Sequence, residues 1–314
     1  MFKDSFKYYK SKNPPPELGR VLDFDCIHKF KNKVQQVPLP STNLSPFFGL
    51  KPLDTWEVYE ITDRPGLIFI RNPFTPLGQR FWPVRCLKDY SRKPNKSNLD
   101  GFSLVPDNKD WWELCQSSNK LLLNKLRWIT LGYHHNWDTK VYSEGNRGKF
   151  PKDLKELTAF LAKAVGYDSF SAEAAIVNYY HMDSTLSGHK DRSERNLTAP
   201  LFSLSFGQTA IFLIGGESVE DIAIPIFLRS GDVVVMSKDS RLCYHGVPKI
   251  LQVDSGRWSL VENSSEKVVV KEHKEVMDIC KNDVLWQPFG DYLTHSRINV
   301  NVRQVLYDGE VQLD

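Results

Sequence analysis

The sequence predicts an α+β protein with a mainly β core, built as a β-sandwich or jelly roll. Two observations predict it. After Gly166, short β-rich runs recur at 174–180, 201–206, 210–214, 225–229, 232–236, 241–245 and 297–305, separated by turn residues. Many short strands with Gly-rich turns form sandwiches or barrels rather than parallel βαβ sheets. Before residue 121 the pattern is irregular and partly helical, so residues 1–120 are read as an N-terminal extension with helices packed on a core domain at 121–314. A chain of 314 residues is long enough for that arrangement.

The elements follow in order. Met1 to Lys12 sets Phe2, Phe6 and Tyr9 at helical spacing among Lys3, Lys7, Lys10 and Lys12, which reads as a docked amphipathic helix. A mitochondrial presequence is the alternative, and the lack of arginine and the presence of Asp4 weigh against it. Pro14-Pro15-Pro16 ends this helix. Residues 37–46, with Pro38, Pro40 and Pro46, read as a linker. A short apolar strand is expected at 66–72, and helices at 81–91 and 109–125. Residues 127–133 read as a strand, and 153–165 as a helix with Leu154, Leu157 and Leu161 on one stripe. A polar insertion between Val253 and Ser296 should hold helices near 274–279 and 283–293.

Composition excludes several classes. Hydrophobic residues make up 41% and charged residues 25%, the balance of an ordinary globular protein. A net charge of +3 permits nucleic-acid binding without demanding it. Cys26, Cys86, Cys115, Cys243 and Cys280 form no CxxC or zinc-knuckle spacing, so reduced intracellular thiols are expected. No apolar run has the length of a membrane span. An intracellular monomer of the nucleus, mitochondrion or cytoplasm is expected, with no membrane partner.

The chemistry lies in the last third. Residues two apart on a strand share a face. Arg297, Asn299, Asn301 and Arg303 therefore face one way, and Ile298, Val300 and Val302 the other. Burying two arginines without partners is costly, and a dicarboxylate would neutralise both. An exposed edge strand is the competing explanation. Asn178 and Tyr180 share parity upstream and would hydrogen-bond a carboxylate or keto group in the same cavity, or simply pack in the core. His-x-Asp occurs twice, as His181-Met182-Asp183 and His189-Lys190-Asp191. His181 has the opposite parity to Tyr180 and should face away, which favours His189 and Asp191. His245, expected at the end of a strand before Gly246, is the third candidate ligand, or a partly buried structural histidine. Cys243 shares its parity and is read as packing. Two histidines and one carboxylate hold iron(II) and leave other positions open. With the arginines, they point to an oxygenase that uses Fe(II), 2-oxoglutarate and dioxygen.

These residues resemble the AlkB family of Fe(II)/2-oxoglutarate dioxygenases. The resemblance runs through Asn178-Tyr179-Tyr180, His189-Lys190-Asp191, Pro200-Leu201-Phe202-Ser203-Leu204-Ser205-Phe206-Gly207, Ser230-Gly231-Asp232, Ser240-Arg241-Leu242-Cys243-Tyr244-His245 and Arg297-Ile298-Asn299-Val300-Asn301-Val302-Arg303. Lys125-Leu126-Arg127-Trp128, Leu131-Gly132-Tyr133-His134, Asn136-Trp137-Asp138 and Asp191-Arg192-Ser193-Glu194 resemble the eukaryotic AlkB homologue-one branch in particular. It implies a double-stranded β-helix, the jelly roll, with flanking helices. It implies that His189, Asp191 and His245 are the catalytic iron ligands. Arg297 would then meet the distal carboxylate of 2-oxoglutarate, Arg303 would lie near the metal-side carboxylate, and Asn178, Tyr180 and Asn299 would complete that site.

The resemblance also implies oxidative demethylation of N-methylated bases, with loss of formaldehyde. The base must leave its stack to reach a buried iron. Tyr133, Trp137 and Tyr142 resemble the family's nucleotide-recognition lid, with ordinary packing as the alternative. Lys140, Arg147, Lys149, Arg192 and Arg195 would meet phosphates, or form a solvated face. Bacterial members carry an acid two positions after the iron aspartate, where this chain has Ser193. That departure points to a structured RNA or an unpaired or bulged site in DNA rather than simple alkylated single-stranded DNA, and the resemblance to the homologue-one branch implies methylated tRNA as the substrate, with N-methyl adenine in unpaired or bulged DNA as a second. A histone oxygenase and a non-catalytic nucleic-acid-binding module on the same fold are the alternatives.

Overall fold

In the computed structural model, residues 1–40, 44–117, 119–253, 257–258 and 271–313 are described. The elements in chain order are α1 (Phe2–Lys10), β1 (Val34–Gln36), β2 (Glu57–Ile61), β3 (Leu67–Arg71), α2 (Pro76–Val84), β4 (Lys96–Ser97), α3 (Trp111–Ser117), β5 (Trp128–Gly132) and α4 (Lys152–Ala164). Then come β6 (Ala174–His181), β7 (Leu186–His189), β8 (Leu201–Gly207), β9 (Thr209–Ile214), β10 (Ile224–Leu228), β11 (Val233–Met236), β12 (His245–Leu251), α5 (Lys274–Lys281), α6 (Asp283–Leu293) and β13 (Ser296–Arg303).

The strands form two antiparallel sheets. The larger has the order β1-β2-β3-β11-β8-β13-β6-β5-β4, and the smaller β10-β9-β12-β7. This is the expected mainly β jelly-roll core with flanking helices. The first 120 residues add strands as well as helices, since β3 pairs with β11 and β2 with β3.

Strand parity sets the layers. Ile298, Val300 and Val302 of β13 are buried in a core cluster with residues of α2, α4, α5 and α6, each contributing about 1.5–3 kcal/mol. On the opposite side, Leu201, Val234 and Met236 of the large sheet meet Phe212 and Ile214 of the small one. The space between the sheets is therefore where Arg297 and its parity mates point. On the outer face of the small sheet, Phe2 and Tyr9 of α1 pack with Ile211 and Leu213, so the N-terminal segment is a docked amphipathic helix.

Local signals explain the helices. Thr75 caps α2 by accepting from the Gly78 amide, with Pro76 at the first turn. Leu154, Leu157 and Leu161 of α4 are all buried, and Gly166, at φ +88°, follows that helix in the left-handed region glycine tolerates. Asn282 caps α6 by accepting from the Val284 and Leu285 amides.

Some expected elements differ. The 109–125 helix stops at Ser117 and is followed by a 3-10 turn, Lys120–Asn124. The described residues of the proline-rich 37–46 segment, 37–40 and 44–46, are held on the protein: the Val37 amide donates to Val58 O at 2.9 Å, and Val37, Leu39 and Leu44 pack on the core. Part of the 253–296 insertion, 254–256 and 259–270, lies outside the described residues. Its two expected helices are α5 and α6.

The segment 241–245 is a correction. It is no strand. Ser237 and Ser240 cap a 3-10 turn at Lys238–Ser240, and His245 opens β12 rather than ending a strand. The buried Arg241 fixes this turn, donating from Nε to Ala199 O and from a terminal nitrogen to Asp191 O. Strand parity therefore says nothing about Cys243, which packs in the core beneath β3 and β11.

Candidate active site

His189 and His245 are cross-strand partners on β7 and β12, and Asp191 follows β7 by two residues. The ring centroids of the histidines lie 4.4 Å apart. Asp191 Oδ1 is 3.9 Å from His189 Nε2, and Oδ2 is 3.5 Å from His245 Nε2. One donor atom from each residue falls within 4.8 Å of the others. His189 Nδ1 lies 3.0 Å from Ser187 O, and His245 Nδ1 3.1 Å from Cys243 O. A carbonyl can only accept, so each Nδ1 carries the proton and each Nε2 keeps its lone pair. Asp191 Oδ2 is buried without a hydrogen-bond partner. Two inward-facing nitrogen lone pairs beside an orphaned carboxylate oxygen fit a divalent cation such as iron(II).

Electrostatics favour the same reading. Burial and the neighbouring His245 hold the His189 pKa down to about 4, leaving it neutral near pH 7. Burial alone would raise the Asp191 carboxyl, but the Arg303 guanidinium, 2.7 Å from Oδ1, and both histidines hold it well below the usual carboxylate range. His181, the rival histidine, points elsewhere: it sits against Ser296 and Tyr292, away from this trio.

The face of β13 lies as its parity requires. The β6–β13 register sets Tyr180 beside Arg297 and Asn178 beside Asn299. Tyr180, Arg297, Asn299, Asn301 and His245 line a narrow cavity between the sheets. Arg297 is 1% exposed. It donates to Ser205 Oγ at 2.6 Å, Gln208 O at 3.2 Å and Leu228 O at 3.3 Å, all uncharged, and its Nε has no partner. Burial lowers its pKa to about 10. A buried cation with no carboxylate bonded to it and one orphaned N–H fits an organic acid entering the cavity.

Arg303 differs. It already pairs with Asp191 and lies 3.1 Å from Glu194 Oε1. Arg241 donates to Glu194 Oε2 at 3.0 Å. Glu194 is thus held between two buried guanidiniums, one on the Asp191 side chain and one on its carbonyl. Sequence reasoning missed Glu194 and Arg241. Glu194 lies three residues after Asp191, but a glutamate there carries no periodic signal, and Arg241 was read as part of a strand.

A wider cleft of ≈ 680 Å³ opens beside the His189, Asp191 and His245 donor set. Its wall includes His189, Asp191, Asn178, Ser193, His135 and Trp137. Of the aromatic candidates, Trp137 reaches this wall, 38% exposed. Tyr133 does not. Its buried hydroxyl donates to Glu144 at 2.5 Å, and Arg147 stacks on its ring at 4.5 Å. Tyr142 is buried behind the wall, with its hydroxyl beside Arg303 and Glu194. Both follow the packing alternative, since phenol rings with paired hydroxyls are ordinary core residues. Lys140 and Arg192 line the cleft, whereas Arg147 pairs with Glu144 and Arg195 with Glu310. His135 was also missed. Its signal was its place inside the polar, aromatic segment 134–142.

Two antiparallel sheets enclosing a His-Asp-His donor set and a buried arginine define an iron- and 2-oxoglutarate-type oxygenase site. Residues 79–303 match the family model of the 2OG-Fe(II) oxygenase superfamily, which uses Fe(II), 2-oxoglutarate and dioxygen. The chain is 39% identical over 328 residues to the human "Nucleic acid dioxygenase ALKBH1", spanning 97% of this chain and 84% of that protein. It is 31% identical over 332 residues to the Arabidopsis thaliana "DNA N(6)-methyladenine demethylase ALKBH1A", covering 94% and 90%. It is 31% identical over 304 residues to the Schizosaccharomyces pombe "tRNA demethylase abh1", covering 88% and 93%. The chain belongs to the AlkB family of Fe(II)/2-oxoglutarate dioxygenases, in its ALKBH1 branch. Among the described residues no helix is long and apolar enough to cross a membrane.

Proposed function

We propose that this chain demethylates N-methylated bases in nucleic acid, with methylated tRNA as its main substrate and N-methyl adenine in unpaired DNA as a second. One observation carries the chemistry: the His189, Asp191 and His245 donor atoms gather between an arginine-floored cavity and an open cleft. The relatives' names, a tRNA demethylase and a DNA N(6)-methyladenine demethylase among them, support the substrate class.

His189, Asp191 and His245 would hold the metal. Arg297 would receive the distal carboxylate of the co-substrate, and Tyr180 and Asn299 from the same cavity would orient the rest, with Asn178 reaching it from the wall of the wider cleft rather than from the shared cavity expected. Arg303 acts chiefly through Asp191, whose carboxylate it keeps ionised and aimed. Bound iron, with dioxygen and 2-oxoglutarate, supplies the oxidant that hydroxylates the methyl group, forming succinate and carbon dioxide. The hydroxymethyl base then breaks its N–C bond, the hydroxyl proton passes to nitrogen, and formaldehyde leaves. The protein positions the base, excludes bulk water and keeps His189 unprotonated.

The test is mass spectrometry of modified nucleosides in tRNA and DNA after incubation with the active protein and with Asp191→Ala. Loss of an N-methyl mark with the active protein alone supports the function. Formaldehyde from a methylated histone peptide but not from tRNA or DNA would replace it with the protein-oxygenase alternative.

A further inference from the structure

We propose that residues 307–313 form a strap on the lid segment 133–147, and that Glu144 is the positioning residue that joins the two. The inference deepens the nucleic-acid function proposed above and rests on it.

Beyond Leu306 the chain leaves the core. Tyr307, Asp308, Gly309, Val311 and Gln312 are exposed, so this stretch adds little apolar burial. Its contacts run instead to the two segments that wall the wide cleft. Just before it, the Asn196 amide donates to Val305 O at 3.0 Å, and within it Glu310 lies 3.2 Å from Arg195. Both partners follow Asp191 closely in sequence. On the lid side, the Leu313 amide donates to Glu144 Oε2 at 3.0 Å, and Arg147 donates to Val311 O at 2.8 Å. The Leu313 side chain packs in a cluster with Tyr133 and Tyr142. One segment thus ties the loop that carries Asp191 to the base of the lid.

Glu144 is where the tie is made. Its carboxylate accepts from the Tyr133 hydroxyl at 2.5 Å, the Leu313 amide at 3.0 Å and an Arg147 nitrogen at 3.0 Å. Tyr133 and Arg147 are antiparallel bridge partners, so these bonds close the neck of the lid. The tip folds on itself. Asn136 Oδ1 accepts from the Asp138 and Thr139 amides, and the Asn136 amide donates to Val141 O. A compact loop whose ends are held together moves as one body. The neck therefore sets where the tip residues Trp137 and Lys140 stand on the cleft wall. Glu144, Val311 and Leu313 line neither the cleft nor the arginine-floored cavity. They act through the lid, so their loss should weaken nucleic-acid binding and spare the chemistry.

Two measurements on the full chain test this. Glu144→Ala removes the acceptor. Leu313→Pro removes the amide donor and leaves Glu144 in place. Glu144→Gln keeps an oxygen for Tyr133 and Leu313. Hydrogen exchange of the manganese(II)-loaded protein, read by mass spectrometry, should be about tenfold faster over 134–148 in the first two variants, with β12 and β13 unchanged. With methylated tRNA, formaldehyde release should show KM raised about tenfold in those two and kcat within about twofold of the wild type. Glu144→Gln should recover most of both effects. The double variant should be no worse than the worse single one, since both break the same bond. Unchanged lid exchange in both variants overturns the strap. Faster lid exchange with an unchanged KM, or a fall in kcat alone, overturns the positioning role and leaves the nucleic-acid function standing. Faster exchange in β12 and β13 as well would make Glu144 a residue of general stability and also overturns it. No formaldehyde from the wild type on methylated tRNA or DNA overturns the function itself, and exchange still decides the strap.

Discussion

Replacing Arg297 with methionine separates what this guanidinium costs from what it is for. Burial lowers its pKa from 12.5 to about 10. At roughly 1.4 kcal/mol per unit, that is about 3 kcal/mol of unfavourable environment for the cation. Methionine keeps an apolar stem and removes the charge. The change also strips a donor from Ser205 Oγ, Gln208 O and Leu228 O, each worth roughly 0.5–1.5 kcal/mol. The two sums nearly cancel, so the ligand-free Arg297→Met protein should melt within a few degrees of the wild type. The response to 2-oxoglutarate should not survive. At a hundredfold excess over Kd the wild type gains about 2.7 kcal/mol, or roughly 4 °C in Tm for a chain of 314 residues. Removing one partner of a buried, hydrogen-bonded charge pair costs about 2–5 kcal/mol. Affinity then falls roughly 30-fold to several thousandfold, and the shift at the same concentration largely disappears. The assay is thermal melting with manganese(II) standing in for iron, titrated with 2-oxoglutarate. A full shift in Arg297→Met would refute the assignment of the cavity. A ligand-free variant destabilised by more than about 3 kcal/mol would show that Arg297 is a structural strut, as in a buried pair broken on one side.

Three further outcomes follow from the geometry. Gly188→Ala would place a Cβ 2.4 Å from Phe2 Cε1, and Phe2 is 1% exposed, so the α1–β7 contact must shift next to His189; manganese(II) affinity should drop by about tenfold or more. Adding Phe2→Ala should recover part of that loss, and calorimetric titrations showing equal affinities for all three proteins would contradict the clash. Glu194→Ala leaves Arg241 and Arg303 short of their shared carboxylate and should cost about 3 kcal/mol in urea unfolding, with a smaller loss for Glu194→Gln; an unchanged midpoint would argue against the bridge. Burial holds His134, His135 and His181 below their usual pKa of 6.5. As pH falls through 6.5 the unfolded chain takes up protons that the folded chain refuses, so metal-free stability declines below that pH. Urea midpoints at pH 7.5 and 5.5 measure the slope, which His181→Gln should flatten.

Much of this site was legible because its decisive signals are local. Period-two alternation in 297–303 separates the amides and guanidiniums from Ile298, Val300 and Val302 without any knowledge of the partner strands. The same alternation dismissed His181, which the structure turns toward Tyr292. What alternation misses is turn geometry. Residues 241–245 have strand-like composition, yet Arg241 is buried in a turn by Ala199 O, Asp191 O and Glu194. No run of neighbours in sequence announces three partners up to 50 residues away. The lid aromatics fail for a related reason. Tyr133 and Trp137 look equivalent in sequence, and Glu144 and Arg147 decide that one is packed and the other exposed.

The pairing of Glu194 with two arginines also explains how the site can carry so much positive charge and stay folded. Arg241, Arg297 and Arg303 are all at most 3% exposed. Two share Glu194, and Arg303 also takes Asp191. That bonding leaves Arg297 as the one of the three without a carboxylate partner among the described residues. The unbalanced charge is thus confined to the cavity where a diacid is expected, while Asp191 is held by its side chain and its carbonyl in one orientation. The same saturation removes free carboxylates from the cleft wall.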